Sequence, residues 1–324
     1  MVQDRFTDLI GQPTAIALLC RALDQGRLAP AYLFSGPEGV GRRRAAVSLA
    51  EILLSRQPTP DPVQQRRIRQ GNHPDLLWVE PTYLHQGRLV PASLAADQGI
   101  TRKSPPQVRL EQVRQITQFL SRPALEADRA VVVIEAAETM TEAAANGLLK
   151  TLEEPGQATL VLLAPGPQAI LPTLVSRCQT IPFQRLNSEA MARVLGQIDQ
   201  GEILHHAQVM ALAQGSPGQA IAAHAQLQAI PAELVASLQQ PPSSLRQALD
   251  LARQVTKTLD TEAQLWLLDY LLHWYWHTYS NQQEVSRWLL GFEAAKRYLR
   301  RFVTPRLVWE VTLMGIAPDT PDRA

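Results

Sequence analysis

The sequence predicts an α/β domain built on a parallel sheet of phosphate-loop type, continued by a small helical domain and a larger all-helical one. Three observations predict it. Short buried-type strand runs alternate with helical patterns of about 10–15 residues through the first half of the chain. A glycine-rich segment joins the first of these strands to a helix. Strand signals stop after Phe183, and helical periodicity alone continues to the C-terminus.

Residues 12–25 carry Ile16, Leu19, Ala22 and Leu23 at helical spacing and end at Gly26, a residue suited to a helix C-cap. Residues 31–35 read as a short buried strand that runs into Gly36-Pro-Glu-Gly-Val-Gly41, with a second helix expected over 42–55. A strand at 75–79, a helix at 110–120, and the β-branched or aliphatic runs 131–134 and 159–163 complete the βαβ pattern of an interior parallel sheet. Residues 81–107 interrupt it. Pro81, Pro91, Pro105, Pro106, Gly87 and Gly99 make this stretch an inserted loop or an irregular hairpin.

Beyond the sheet, residues 187–196 read as a helix started by Asn187 or Ser188, with Glu189 in its first turn. A second helix is expected over 203–214, closed by Gly215, and Gly215-Ser-Pro-Gly218 is a turn that launches a third over 219–228. From Pro231 onward the pattern is long helices, holding Trp266, Trp274, Trp276, Trp288 and Trp309. The helix 264–279 is apolar or aromatic nearly all round and needs partners on more than one side, as a domain core or as a subunit interface. The expected domains are residues 1–184, 185–229 and 230–324.

A length of 324 residues agrees with two or three domains. The net charge of +1 with 45% hydrophobic and 19% charged residues excludes a disordered polyelectrolyte. It also leaves no global electrostatic case for nucleic-acid or membrane binding. Cys20 and Cys178 are too few and too far apart for a disulfide framework or a zinc site of their own. With no signal-like N-terminus and no run of 18 apolar residues, the expectation is a soluble cytoplasmic protein.

The segment Gly36 to Arg43 occupies the frame G-x-x-x-x-G-K-[ST], whose glycines Gly36, Gly39 and Gly41 would let backbone N–H groups close around phosphates. Two residues depart from that frame. Arg42 stands where lysine reaches the β- and γ-phosphates, and Arg43 where a hydroxyl ligates Mg²⁺. The strand 131–134 ends in Glu135-Ala136. A metal-binding, water-activating strand would end in two acids, and Ala136 offers only a methyl. Phosphoryl transfer therefore lacks its main parts, and no bound nucleotide or metal is expected. The alternative is a weakly active ATPase in which Arg42 holds phosphate and Glu135 holds Mg²⁺. A sequence-specific DNA-binding protein has no recognition helix or basic stripe behind it.

The third constellation is Ala143-Ala-Ala-Asn-Gly-Leu-Leu-Lys-Thr-Leu-Glu-Glu-Pro155, followed after a strand by Ile170-Leu-Pro-Thr-Leu-Val-Ser-Arg-Cys-Gln179. It resembles the bacterial clamp loader subunits of the AAA+ class, with their Leu-Leu-Lys-x-Leu-Glu-Glu-Pro helix and Ser-Arg-Cys turn. Phe6-x-Asp8-Leu-Ile-Gly-Gln12 and His73-Pro-Asp-Leu76 extend the match, which is weakest over 82–107 and beyond Ala229. The resemblance implies an AAA+ sheet domain, a lid and a helical collar where five subunits meet.

Within that family the altered nucleotide site is similar to the delta-prime branch, not to the ATP-hydrolysing gamma/tau branch. The family's sensor position falls on Ala164 and its phosphate-sensing lid arginine on Gly218. Residues 55–72 lack the four zinc-binding cysteines that many members carry, so zinc is not expected. By the same resemblance Arg177 is an arginine finger reaching the ATP of a neighbouring subunit, the alternative being a salt bridge to a nearby carboxylate. Ser176 and Cys178 are packing and turn residues. The implied partners are gamma/tau and delta subunits in a hetero-pentamer, with the sliding clamp and primed DNA reached through the complex and no membrane.

Overall fold

The computed structural model describes residues 6–56, 61–95, 97–100, 104–154, 156–280 and 282–317. The chain forms two compact units, Met1–Val194 and Leu195–Ala324.

In the first unit, α1 (Pro13–Asp24) starts on a proline at its first turn, buries Ala15, Leu19, Cys20 and Ala22, and stops before Gly26 at φ +62°. β1 (Ala31–Ser35), α2 (Arg42–Leu54), α3 (Pro62–Arg69), β2 (Leu76–Val79), β3 (Thr82–His85), β4 (Arg88–Pro91) and α4 (Leu110–Leu120) follow. Then come β5 (Ala130–Ile134), α5 (Glu142–Glu153), β6 (Ala158–Ala164), α6 (Pro172–Val175) and β7 (Gln179–Pro182). Among the described residues, β2-β5-β6-β1-β7 form a five-stranded sheet whose pairings are all parallel. β5 and β6 are buried along their whole length, which is why they read as unbroken aliphatic runs.

Two parts of this unit were not legible in that form. The 81–107 insertion contains a regular antiparallel hairpin, β3–β4, turned by Gln86 at φ +49° and Gly87 at φ +77°. Val90, Ala95 and Ile100 form a small core beneath it, and Thr82 pairs onward with Gln107. The second part is β7, an edge strand with only Ile181 buried. It has no apolar run to announce it, because its ladder to β1 supplies what its side chains do not.

α7 (Ser188–Gln197) is capped by Asn187, whose Oδ1 accepts from the Ala190 N–H at 2.8 Å. The helix expected over 203–214 is divided: a 3₁₀ turn at Gly201–His205 breaks at His206, with ψ 84°, before α8 (Ala207–Ala213). α9 (Pro217–Ala229) begins earlier than expected. Ser216 caps it and Pro217 opens it, so Gly218 lies inside the first turn rather than ahead of the helix.

α10 (Ala232–Leu238), α11 (Leu245–Thr258), α12 (Thr261–Tyr279), α13 (Val285–Arg300) and α14 (Pro305–Met314) share one core. The aromatic face of α12 has a defined task. Trp274 and Tyr279 donate to the Gln239 carbonyl at 3.0 and 3.2 Å, and Tyr275 donates to Leu238 at 3.1 Å. Carbonyls at a helix end lack intrahelical partners, so α12 caps α10 with ring donors. Trp276 remains exposed. Among the described residues, no helix is long and apolar enough to cross a membrane.

Candidate functional site

The glycine loop leaves the C-terminal end of β1, where parallel sheets place their ligands. Its shape is held by protein contacts. A Cβ on Gly36 would lie 2.4 Å from the Phe183 carbonyl oxygen, so the chain leaving β7 demands glycine there. The buried Gln12 amide donates to Val40 O at 3.2 Å and to Gln184 O at 2.7 Å, and accepts from Gln184 N–H at 2.9 Å. It ties the loop to the segment after β7. Gly39 and Gly41 take φ +75° and +107°, which only glycine adopts readily.

α2 begins at Arg42, so Arg42 and Arg43 project from its first turn. The half-buried Arg42 has a buried Nη1 without a hydrogen-bond partner. Burial holds its pKa below the ordinary value, only partly opposed by the charges of Glu138, Glu38 and Glu135. Arg43 is engaged. Its Nε lies 2.5 Å from Glu135 Oε1, the same oxygen accepts from Trp78 Nε1 at 2.8 Å, and the guanidinium carbon stands 5.0 Å from the Trp78 ring centre. A cation from the position of the missing hydroxyl thus neutralises the carboxylate that would hold Mg²⁺.

Ala136 sits in the left-handed region at φ +44° and leads into a 3₁₀ turn. Ala164, buried at the end of β6, offers its carbonyl to Gly36 N–H at 3.1 Å but no side-chain polar atom. Gly218 lies in the other unit, on α9.

Arg177 lies in the short turn between α6 and β7. Its Nη1 donates to the Thr173 carbonyl at 3.0 Å and its Nη2 meets Glu153 Oε1, at the end of α5, at 2.7 Å. The pair is exposed. Burial pushes the neighbouring Cys178 thiol up to about 11, so it stays protonated and unreactive near neutrality.

The cysteine-free stretch is organised by other bonds. Arg67 on α3 forks onto Glu126 at 2.9 and 3.0 Å, and Gln64 donates to Leu54 O at 2.9 Å. Buried Asp75 accepts from the N–H groups of Leu125, Glu126 and Ala127 at 2.6, 2.8 and 2.7 Å, fixing the approach to β5. Burial pushes its carboxyl pKa up, but the three amides outweigh it and hold it below the ordinary value. Buried His73 is held below its ordinary pKa by desolvation. Among the described residues, no group of three or more His, Cys, Asp or Glu could hold a metal ion.

Sequence reasoning singled out Arg42, Arg43, Glu135, Ala136 and Arg177 but missed Trp78 and Glu153. No linear signal points to Trp78, because its nearness to Glu135 comes from β2 neighbouring β5 in the sheet.

The family described as DNA polymerase III, delta subunit, matches residues 11–187, and that described as cyanobacterial DNA polymerase III delta prime, C-terminal domain, matches residues 189–316. The chain is 34% identical over 205 residues to DNA polymerase III subunit delta' of Bacillus subtilis, covering 62% of this chain and 55% of that one. It is 33% identical over 208 residues to the delta' subunit of Pseudomonas aeruginosa, covering 61% and 56%. The match thus spans little more than half the length of these relatives. A DNA polymerase III gamma subunit-related protein from Thermotoga maritima superposes with a TM-score of 0.56 at 17% identity, covering 93% of this chain and 97% of that one, which shows a shared fold. With family models matching residues 11–187 and 189–316 and two delta' relatives agreeing, the chain belongs to the delta-prime family of DNA polymerase III subunits.

Proposed function

We propose that this chain is a clamp loader subunit that does not hydrolyse ATP and lends Arg177 to ATP bound by a neighbouring gamma/tau subunit. It acts in the cytoplasm with gamma/tau and delta subunits in a hetero-pentamer that places the sliding clamp on primed DNA. It carries no nucleotide or zinc of its own, with residues 185–229 as the lid and 230–324 as the collar.

The observation that carries the non-hydrolysing part is the Arg43–Glu135–Trp78 cluster. Mg²⁺ needs several oxygen ligands. Here a guanidinium stands in for the hydroxyl and the remaining carboxylate is already neutralised by it. Ala136 cannot orient a water. The exposed, half-engaged fork of Arg177 supports the second part, since a planar and permanently charged group suits recognition of phosphate. The test is ATP turnover by the purified chain alone, expected at background. Mg²⁺-dependent turnover abolished by Arg42→Ala would overturn it. That outcome is the second reading, a weakly active ATPase, and the unpartnered Nη1 of Arg42 is the observation in its favour.

A further inference from the structure

We infer that Glu153 is a positioning residue for Arg177: it neutralises the guanidinium within its own turn and must release it before the arginine can serve a nucleotide held elsewhere. This rests on the reading of Arg177 as a finger.

A guanidinium has five N–H donors in one plane. Two are used here, one on Nη1 toward Thr173 O at 3.0 Å and one on Nη2 toward Glu153 at 2.7 Å. The two contacts do different things. Thr173 is four residues back, and its neutral carbonyl fixes the orientation of the fork without touching its charge. Glu153 cancels the charge on which stabilisation of a phosphate depends.

The position of Glu153 argues independently for a task other than helix stability. It is the last residue of α5, and a carboxylate at a helix C-terminus faces the negative end of the helix dipole. Helix formation alone would favour a lysine or arginine at that end. The pair is also releasable. Glu153 and Arg177 side chains are 52% and 37% exposed, so separation needs no unfolding and leaves both groups in water. An exposed pair contributes up to about 1 kcal/mol, or up to about fivefold in the fraction of time the arginine is free.

The test uses the complex reconstituted with gamma/tau and delta subunits, its ATPase measured without and with clamp and primed DNA. Glu153→Gln keeps the acceptor and removes the charge. It should raise the clamp- and DNA-free turnover by up to about fivefold while leaving the thermal midpoint of the chain in place. Glu153→Asp, which keeps the charge on a shorter stem, should fall between wild type and Glu153→Gln. In an Arg177→Ala background, Glu153→Gln should change nothing. Turnover that is unaltered or lowered by Glu153→Gln, or raised equally without Arg177, would overturn the inference. If Arg177→Ala alone leaves stimulated turnover at the wild-type level, the finger reading itself has failed, and that result is separable because it does not involve Glu153.

Discussion

Two arginine–glutamate pairs in the sheet domain are alike in chemistry and opposite in consequence. Arg43 meets Glu135 at 2.5 Å and Arg177 meets Glu153 at 2.7 Å. Arg43 is 68% exposed, but Glu135 is only 25% exposed, accepts a second bond from the Trp78 indole, and sees its arginine stacked over that ring. Glu153 is half exposed and Arg177 is the one ionic partner it shows among the described residues. A carboxylate held by an aromatic ring, a second donor and a cation is fixed in place, whereas a pair with an exposed carboxylate holds its side chain only loosely. Asp75 extends the series to full burial, held by three backbone amides and, among the described residues, by no salt bridge.

The largest expected effect lies at the loose pair. Arg177→Ala should leave the fold and assembly intact while removing a finger, an effect typically of about 10³–10⁵ in turnover at the one nucleotide it serves. Stimulated ATPase of the whole complex should fall only in part, because in the proposed pentamer the other nucleotides are served by other subunits. Arg177→Lys should rescue poorly, lacking the fork. Wild-type clamp loading by the alanine variant, or failure of that variant to fold, would return Arg177 to a structural salt bridge.

At the buried end, Asp75→Asn should destabilise the first unit by about 1–3 kcal/mol, since a neutral amide cannot accept from three N–H groups at once. The urea midpoint measures it. The same region contributes to the pH response, together with His273, which burial also holds low, and against Glu138, which burial holds high. Both Asp75 and His73 have folded pKa values below their unfolded ones, so the unfolded chain binds more protons and stability rises with pH. The His73 contribution is complete above its unfolded value of about 6.5 and declines below it; Asp75 adds a further decline only below about pH 4. A thermal midpoint that rises between pH 6.5 and 5 would contradict this.

A smaller effect sharpens the tight pair. Glu135→Gln should lower stability by about 1 kcal/mol or less through loss of the charge on a partly exposed bond. It should also shift the emission of Trp78, read as the difference from the same variant carrying Trp78→Phe. No shift would mean that the indole is not held by that carboxylate. The smallest expected change is the stability of Glu153→Gln, within about 0.5 kcal/mol, because loss of the exposed pair is offset by removing a negative charge from the C-terminus of α5, and a loss comparable to that of Asp75→Asn would show that the two pairs are not different in kind.

Much of the nucleotide-site region was legible because its grammar is local. A strand, a glycine loop and a helix start place Arg42 and Arg43 by spacing alone, and Glu135-Ala136 follows β5 directly. Arg177 was legible through its Ser-Arg-Cys context. In 81–107 the prolines left a loop and an irregular hairpin both open, and the structure decided for a regular hairpin; the edge strand β7 was not legible, because it buries a single side chain. The aromatic helix α12 left two readings open, and its ring donors on α10 answer for the core.

By itself the sequence determined the alternation of strands and helices, the family, and the loss of the hydroxyl and the second acid, since these depend on residue type at short spacing. Only the tertiary structure decided who pairs with whom. Trp78 reaches Glu135 because β2 neighbours β5 in the sheet, and Glu153 reaches Arg177 because α5 ends beside the turn that follows α6. A side-chain contact depends on two separate stretches of backbone arriving at one place, and packing of the whole domain is what brings them there.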